Sequence, residues 1–178
     1  NIVSEKYNSL LFHAYRGVRD GYDKAEQYVF ENPHEFFNKR HEASTKNAKV
    51  LSEFYLRLLT DFKSKDMVLK MGTYGMTYFL IDNKALLCFK MLNKKGKITN
   101  ALTERHKNSM AGNDVKLKKS VIAELRKRGV EDQPPIYYLG YQPTEKGLII
   151  KLLRFENNEP VFELNLSEMF INKNEKIS

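Results

Sequence analysis

The sequence predicts an α+β fold: an N-terminal helical hairpin followed by an antiparallel sheet of five or six strands, with one or two further helices. Three observations carry this. Apolar residues in the first sixty positions recur at three- and four-residue steps, as one face of a helix requires. From residue 67 onward the pattern turns to short alternating runs separated by Asn, Asp and Gly, the signature of strands and hairpins. Helices first and strands later point to segregated layers rather than to a βαβ alternation.

In chain order, Leu10, Leu11, Ala14, Val18, Tyr22, Ala25 and Val29 mark a first helix, with Ser4 as a candidate N-cap. Gly17 and Gly21 lie inside it, each weakening a helix interior by about 1 kcal/mol relative to Ala. Asn32-Pro33 breaks the pattern, because the residue before proline avoids the helical region. Pro33 suits the first position of a second helix, whose apolar stripe runs through Phe36, Phe37, Ala48, Leu51, Phe54, Tyr55, Leu58 and Leu59. Strands are expected over 67–71, 76–81 and 85–92, the last two joined by a hairpin turn at Asp82-Asn83-Lys84. Gly72 and Gly75 mark a bend or bulge before the second strand, and Asn93-Lys94-Lys95-Gly96-Lys97 a basic turn. A short helix is weighed over 102–110. A clearer one runs from about 117 or 120 to Arg128, with Gly129 as its C-terminal stop. Strands return over 136–141, 147–155 and 161–166, and residues 172–178 read as a frayed polar tail. Domain boundaries follow: a helical hairpin over 1–62, an α+β domain over 63–171 containing the basic segment 90–128, then the tail.

The chain has 178 residues, 42% hydrophobic and 29% charged, enough apolar material for a packed core. No apolar run approaches the ~18–20 residues that span a bilayer. A membrane partner is therefore not expected, and the cytoplasm is the default compartment for a start without the basic and apolar parts of a secretory signal. The single cysteine, Cys88, excludes an internal disulfide framework and a multi-cysteine zinc site.

Thirty Lys and Arg against 22 Asp and Glu give a net charge of +8, and its location is informative. Residues 90–128 hold twelve basic residues against Glu104, Asp114 and Glu124, so this segment carries +9 and the rest of the chain −1. Concentrated positive charge draws phosphate-rich or acidic partners. Lys90, Lys94, Lys95, Lys97, Arg105 and Lys107 supply the charge, and Asn100 and Thr103 the orienting donors, of a candidate nucleic-acid or anion site. The bland alternative is a solvated lysine-rich face.

Catalytic chemistry finds little support. No HExxH, CxxC, GxSxG, Walker A or GxGxxG spacing is present, so neither a cofactor nor a metal is expected. His13, His34, His41 and His106 form no metal-ligand spacing and read as surface residues. Cys88, inside the apolar run Leu86-Leu87-Cys88-Phe89, reads as core. Gly72-Thr73-Tyr74-Gly75 joins two strands and lacks the helix N-terminus that lets a glycine loop bind phosphate. A degenerate metal-dependent nuclease using Asp82, Lys90 and Glu163 is the weakest alternative, since its carboxylate–lysine pattern is incomplete. Tyr74, Tyr78, Phe79 and Phe89 would stack bases if they faced outward, but strand alternation makes both faces of 78–81 apolar and favours a core role. Tyr28, Phe30, Phe36 and Phe37 are candidate anchors for a protein partner or a second copy of the chain.

The runs Tyr78-Phe79-Leu80-Ile81-Asp82, Leu87 to Lys97 and Asn100-Ala101-Leu102-Thr103 resemble an uncharacterised family of bacterial and phage mobile-element proteins. In that family a strand ends in a phenylalanine-lysine pair, followed by a basic glycine turn and an Asn-x-x-Thr step. Leu139-Gly140-Tyr141-Gln142-Pro143 resembles its second block, so the similarity covers about residues 67–166. Neither block is catalytic, and the resemblance implies a regulatory or inhibitory role. The function expected is thus non-enzymatic binding of nucleic acid or another polyanion by the basic surface. The alternative is a protein-interaction module, inhibitor or regulator, acting through the N-terminal helices.

Overall fold

A computed structural model describes residues 5–60, 68–73, 76–98, 118–130, 133–157 and 159–171. Its elements are α1 (Glu5–Glu31), a 3-10 turn (Pro33–Glu35), α2 (Lys39–Thr60), β1 (Val68–Thr73), β2 (Met76–Ile81) and β3 (Ala85–Met91). These are followed by α3 (Lys119–Lys127), β4 (Ile136–Thr144), β5 (Gly147–Glu156), β6 (Glu159–Asn165) and α4 (Leu166–Phe170). The class is α+β, with a helical pair ahead of a six-stranded sheet. Ser4, the 102–110 segment, Tyr74, Gly75 and the 172–178 tail lie outside the described residues. The chain groups into two compact units: Asn1–Lys65 with Tyr141–Ile150 and Asn165–Ser178, and Asp66–Gly140 with Lys151–Leu164.

In the first unit, α1 buries Leu10, Leu11, Ala14, Val18, Tyr22 and Ala25, and α2 buries Val50, Phe54 and Leu58. Gly17 abuts Phe54 and Gly21 abuts Val50, so the two helices run antiparallel. A Cβ on Gly17 would lie 2.9 Å from the Phe54 Cα, and one on Gly21 2.8 Å from the Val50 Cα. The glycines that cost α1 propensity therefore let the two backbones come close. Pro33 opens a 3-10 turn rather than α2, which corrects the sequence reading. Phe36 takes extended backbone (φ −118°, ψ 102°), and α2 starts at Lys39 under a cap in which Asn38 Oδ1 accepts from the His41 N–H at 2.8 Å. Phe170 of α4 is fully buried, its ring 5.4 Å from Phe12 and 5.6 Å from Tyr15.

In the sheet each strand lies beside its sequence neighbours, in the order β1-β2-β3-β4-β5-β6. β1 pairs antiparallel with β2 from Val68↔Ile81 to Thr73↔Met76, and β2 with β3 through Phe79↔Leu87. The β2–β3 hairpin turns on Asp82 and Asn83, both at positive φ (52° and 55°), as a type I′ turn requires. β4–β5 and β5–β6 are joined by two-residue connections, which only antiparallel neighbours allow. The expectation of a purely antiparallel sheet is nonetheless wrong: the sheet is mixed, and β3–β4 is the parallel pair. Near the start of β3 the Leu86 N–H donates to the carbonyl of Pro135, just ahead of β4, at 2.9 Å. Beyond the end of β3, Leu92 meets Gly140 further along β4. Parallel neighbours need a crossover, and residues 92–135, which include α3, supply it.

Both faces of the central strands are buried. On one, Met71, Tyr78, Leu80, Leu86, Cys88, Tyr138 and Leu153 cluster with Val121 and Leu125 of α3. On the other, Phe79, Leu87, Phe89, Leu139 and Leu152 are buried as well, with the Phe79 and Phe89 rings edge to face at 5.7 Å. Tyr78, Phe79 and Phe89 are core residues and offer no platform for bases.

Candidate anion-binding surface

The site begins where β3 leaves the core. Leu92 and Ile98 are both buried in the apolar cluster that holds α3, and they anchor the two ends of the intervening turn. Between them, Asn93 organises the backbone. Its Oδ1 accepts from the Lys95 and Lys97 amides, each at 2.9 Å. Its own N–H donates to the Lys97 carbonyl at 2.9 Å, and the Gly96 N–H donates to the Asn93 carbonyl at 2.9 Å. Gly96 has φ 73°, a left-handed conformation that glycine adopts without steric cost. The result is a five-residue turn fixed by four hydrogen bonds, from which Lys94, Lys95 and Lys97 project exposed.

α3 adds a second basic element. It buries Val121 and Leu125 and leaves Lys119, Arg126 and Lys127 exposed, with Lys118 exposed just ahead. Its C-terminus closes in a Schellman motif: the Val130 N–H donates to Leu125 O at 2.8 Å and the Gly129 N–H to Arg126 O at 3.0 Å, with Gly129 at φ 80°. Arg128 is held by Glu124 at 3.0 Å. Lys95, Lys97, Lys119, Arg126 and Lys127 have no carboxylate partner among the described residues. The unit containing the turn and α3 has 16 basic residues against 10 acidic ones, a net of +6, while the helical unit has 14 against 12, a net of +2.

Of the residues expected at this site, Lys94, Lys95 and Lys97 come together on one turn, and Lys90 is half-buried on β3 just before it. Asn100, Thr103, Arg105 and Lys107 lie outside the described residues, as does His106. The stabilising role of Asn93 escaped the sequence reading, although the Asn-Lys-Lys-Gly string carries its signal.

The candidate interface aromatics divide. Phe30 and Phe37 are 85% and 90% exposed at the tip of the helical hairpin. Tyr28 and Phe36 pack on each other at 6.1 Å, with the Lys49 ammonium 4.3 Å from the Tyr28 ring centre and His41 5.4 Å from Phe36. A hydrogen bond to Glu35 raises the Tyr28 hydroxyl pKa. Both are half-buried, packed within the hairpin on one side and partly exposed on the other.

The nuclease candidates are dispersed. Asp82 sits in the β2–β3 turn beside Lys84 (3.8 Å), Lys90 is near the far end of β3, and Glu163 lies on β6 paired with Lys151 at 2.6 Å. β3 and β6 are three strands apart, roughly 14 Å at normal strand spacing, too far to share an ion. Cys88 is buried, and burial pushes its thiol up to about 12, against a smaller lowering by Lys90. That is the opposite of what a nucleophile needs. Among the described residues no three His, Cys, Asp or Glu side chains are placed to hold a metal, and no helix is long and apolar enough to cross a membrane. Comparison with family models, with curated proteins and with solved structures finds no match to this chain.

Proposed function

We propose that the chain is a non-enzymatic binding protein that engages the phosphate backbone of a nucleic acid through the 93–97 turn and the exposed face of α3. The observation that carries this reading is the turn itself: three exposed lysines within four residues on a backbone already fixed by four hydrogen bonds. Pre-ordering lowers the entropic cost of binding, and lysines act as point charges that tolerate any base sequence. Contact of this kind positions a duplex or single strand without reading it.

The test is fluorescence anisotropy of duplex DNA, single-stranded DNA and RNA at low salt, with Lys119→Ala/Arg126→Ala/Lys127→Ala as the comparison. The reading expects binding to at least one of the three, weakened by about tenfold or more in the variant. No binding to any of them at low salt overturns it.

One observation favours a second reading, in which the hairpin tip docks a protein. Phe30 and Phe37 expose large apolar rings at the hairpin tip. If they anchor a second copy of the chain, Phe30→Ser/Phe37→Ser shifts the sedimentation profile toward monomer. An unchanged profile removes self-association by this route.

A further inference from the structure

We propose that the helical unit carries a separate binding site for a phosphate-class oxyanion, built by Arg16 and Arg19 of α1 and Arg57 of α2 around Asp20. The inference does not depend on the lysine turn. Asp20 Oδ2 lies 3.5 Å from Arg57 Nη1 and 3.8 Å from Arg16 Nε, and Asp20 Oδ1 lies 3.5 Å from Arg19 Nε. Three guanidinium groups share one carboxylate, an excess of two positive charges. None of the three separations reaches the ~2.7–2.9 Å of a charge-assisted hydrogen bond, so Asp20 satisfies none of them fully. The buried Nε–H groups of Arg16 and Arg57 have no hydrogen-bond acceptor among the described residues. The other carboxylate that Arg57 would normally recruit, Glu53 one turn back on α2, is held by Lys24 at 2.8 Å.

The cluster is shaped for a ligand rather than for a bridge. The Arg16, Arg19 and Arg57 side chains are 25%, 30% and 17% exposed, reachable from solvent yet largely desolvated, where charged hydrogen bonds gain most. Arg19 is steadied over the Tyr15 ring, 5.6 Å from its centre. Each guanidinium fork matches two oxygens of a tetrahedral oxyanion, and a dianion cancels the twofold excess of charge. Inorganic phosphate and the terminal phosphate of a nucleoside monophosphate share this chemistry.

The experiment is calorimetric titration of the full chain with inorganic phosphate, and separately with AMP, at fixed ionic strength maintained with chloride. Saturable binding of at least one probe is expected. Arg57→Gln should weaken it about tenfold or more, whereas Asp20→Asn, which removes the competing carboxylate, should tighten it. The Lys94→Ala/Lys95→Ala/Lys97→Ala variant should bind as the parent does. Tighter AMP than phosphate identifies a phosphomonoester end as the ligand; equal affinities identify the free oxyanion. If Arg57→Gln fails to fold, Arg19→Gln, at the most exposed of the three arginines, takes its place. Heats no larger than those of chloride, an arginine variant that binds as the parent does, or binding lost in the triple-lysine variant would each overturn the proposal.

Discussion

In the helical unit, several of the positive charges are taken up by their own surroundings, although Lys39, Arg40 and Lys146 stand exposed. Lys24 pairs with Glu53 and Lys46 with Glu42, the Lys46 ammonium also lying 5.2 Å from the centre of the Tyr22 ring. Lys49 covers Tyr28 and Arg19 covers Tyr15. In the sheet unit, Lys95, Lys97, Lys119, Arg126 and Lys127 stand without carboxylate partners among the described residues, on a turn and a helix whose apolar sides are fixed in one core. Self-paired charge contributes to holding a fold, although exposed pairs add only about 0–1 kcal/mol each. Unpaired charge on an ordered backbone adds nothing to folding and is available to a partner. By that standard Lys95, Lys97, Lys119, Arg126 and Lys127 are charges that the fold of the sheet unit leaves unused among the described residues, and in the helical unit the three arginines around Asp20 are used only in part.

The contrast can be broken or sharpened in stages. The largest effect on stability is expected at the helix crossing. Propensity alone predicts that Gly17→Ala/Gly21→Ala stabilises α1 by about 2 kcal/mol. The Cβ positions, 2.8–2.9 Å from the α2 backbone, predict overpacking of about 1–3 kcal/mol per site. The net expectation is a loss of about 2 kcal/mol by urea denaturation, and a gain in stability would show that the helices are free to separate. A smaller effect follows at Asn93. Removing its side chain in Asn93→Ala frees two backbone amides and should cost about 1 kcal/mol while also weakening polyanion binding; intact affinity would mean that the order of the turn is irrelevant to binding. The smallest effect at neutral pH is at Cys88. Its thiol titrates near 9 when unfolded and is pushed up to about 12 when folded, so between those values the unfolded chain holds fewer protons. Stability should therefore be unaffected below pH ~9 and fall as pH rises toward 12, and Cys88→Ala should lessen that slope. An unchanged slope would place the alkaline loss elsewhere.

The sequence made local features legible and hid what arises only on assembly. The first helix, the Asp82-Asn83 turn and the Gly129 stop are each set by residues within a few positions and appear where the pattern puts them, whereas the second helix starts six residues later than Pro33 suggests. The roles of Gly17 and Gly21 depend on what lies across from them, so periodicity showed only their helical cost. Strand direction could be read across short turns but not across the long 92–135 connection, and the parallel β3–β4 pair was missed for that reason. α4 was overlooked because Leu166 continues the apolar run of β6, although Asn165 caps it by accepting from the Glu168 N–H at 3.1 Å, a signal three residues long. The lysines of the candidate site were visible as charge, whereas the arginine cluster was not, since Arg57 joins Arg16 and Asp20 only once the helices are paired.

The central claim, that the 93–97 lysines meet phosphates, is tested most directly by the salt dependence of duplex DNA affinity in the parent and in Lys94→Ala/Lys95→Ala/Lys97→Ala. Each phosphate contact contributes about 0.9 to the slope of log affinity against log salt. The variant should keep the parent's stability to within about 0.5 kcal/mol, and its slope should be shallower by about 2.7. Parallel slopes for the two proteins would mean that these lysines touch no phosphate and that the basic turn is a solvated face.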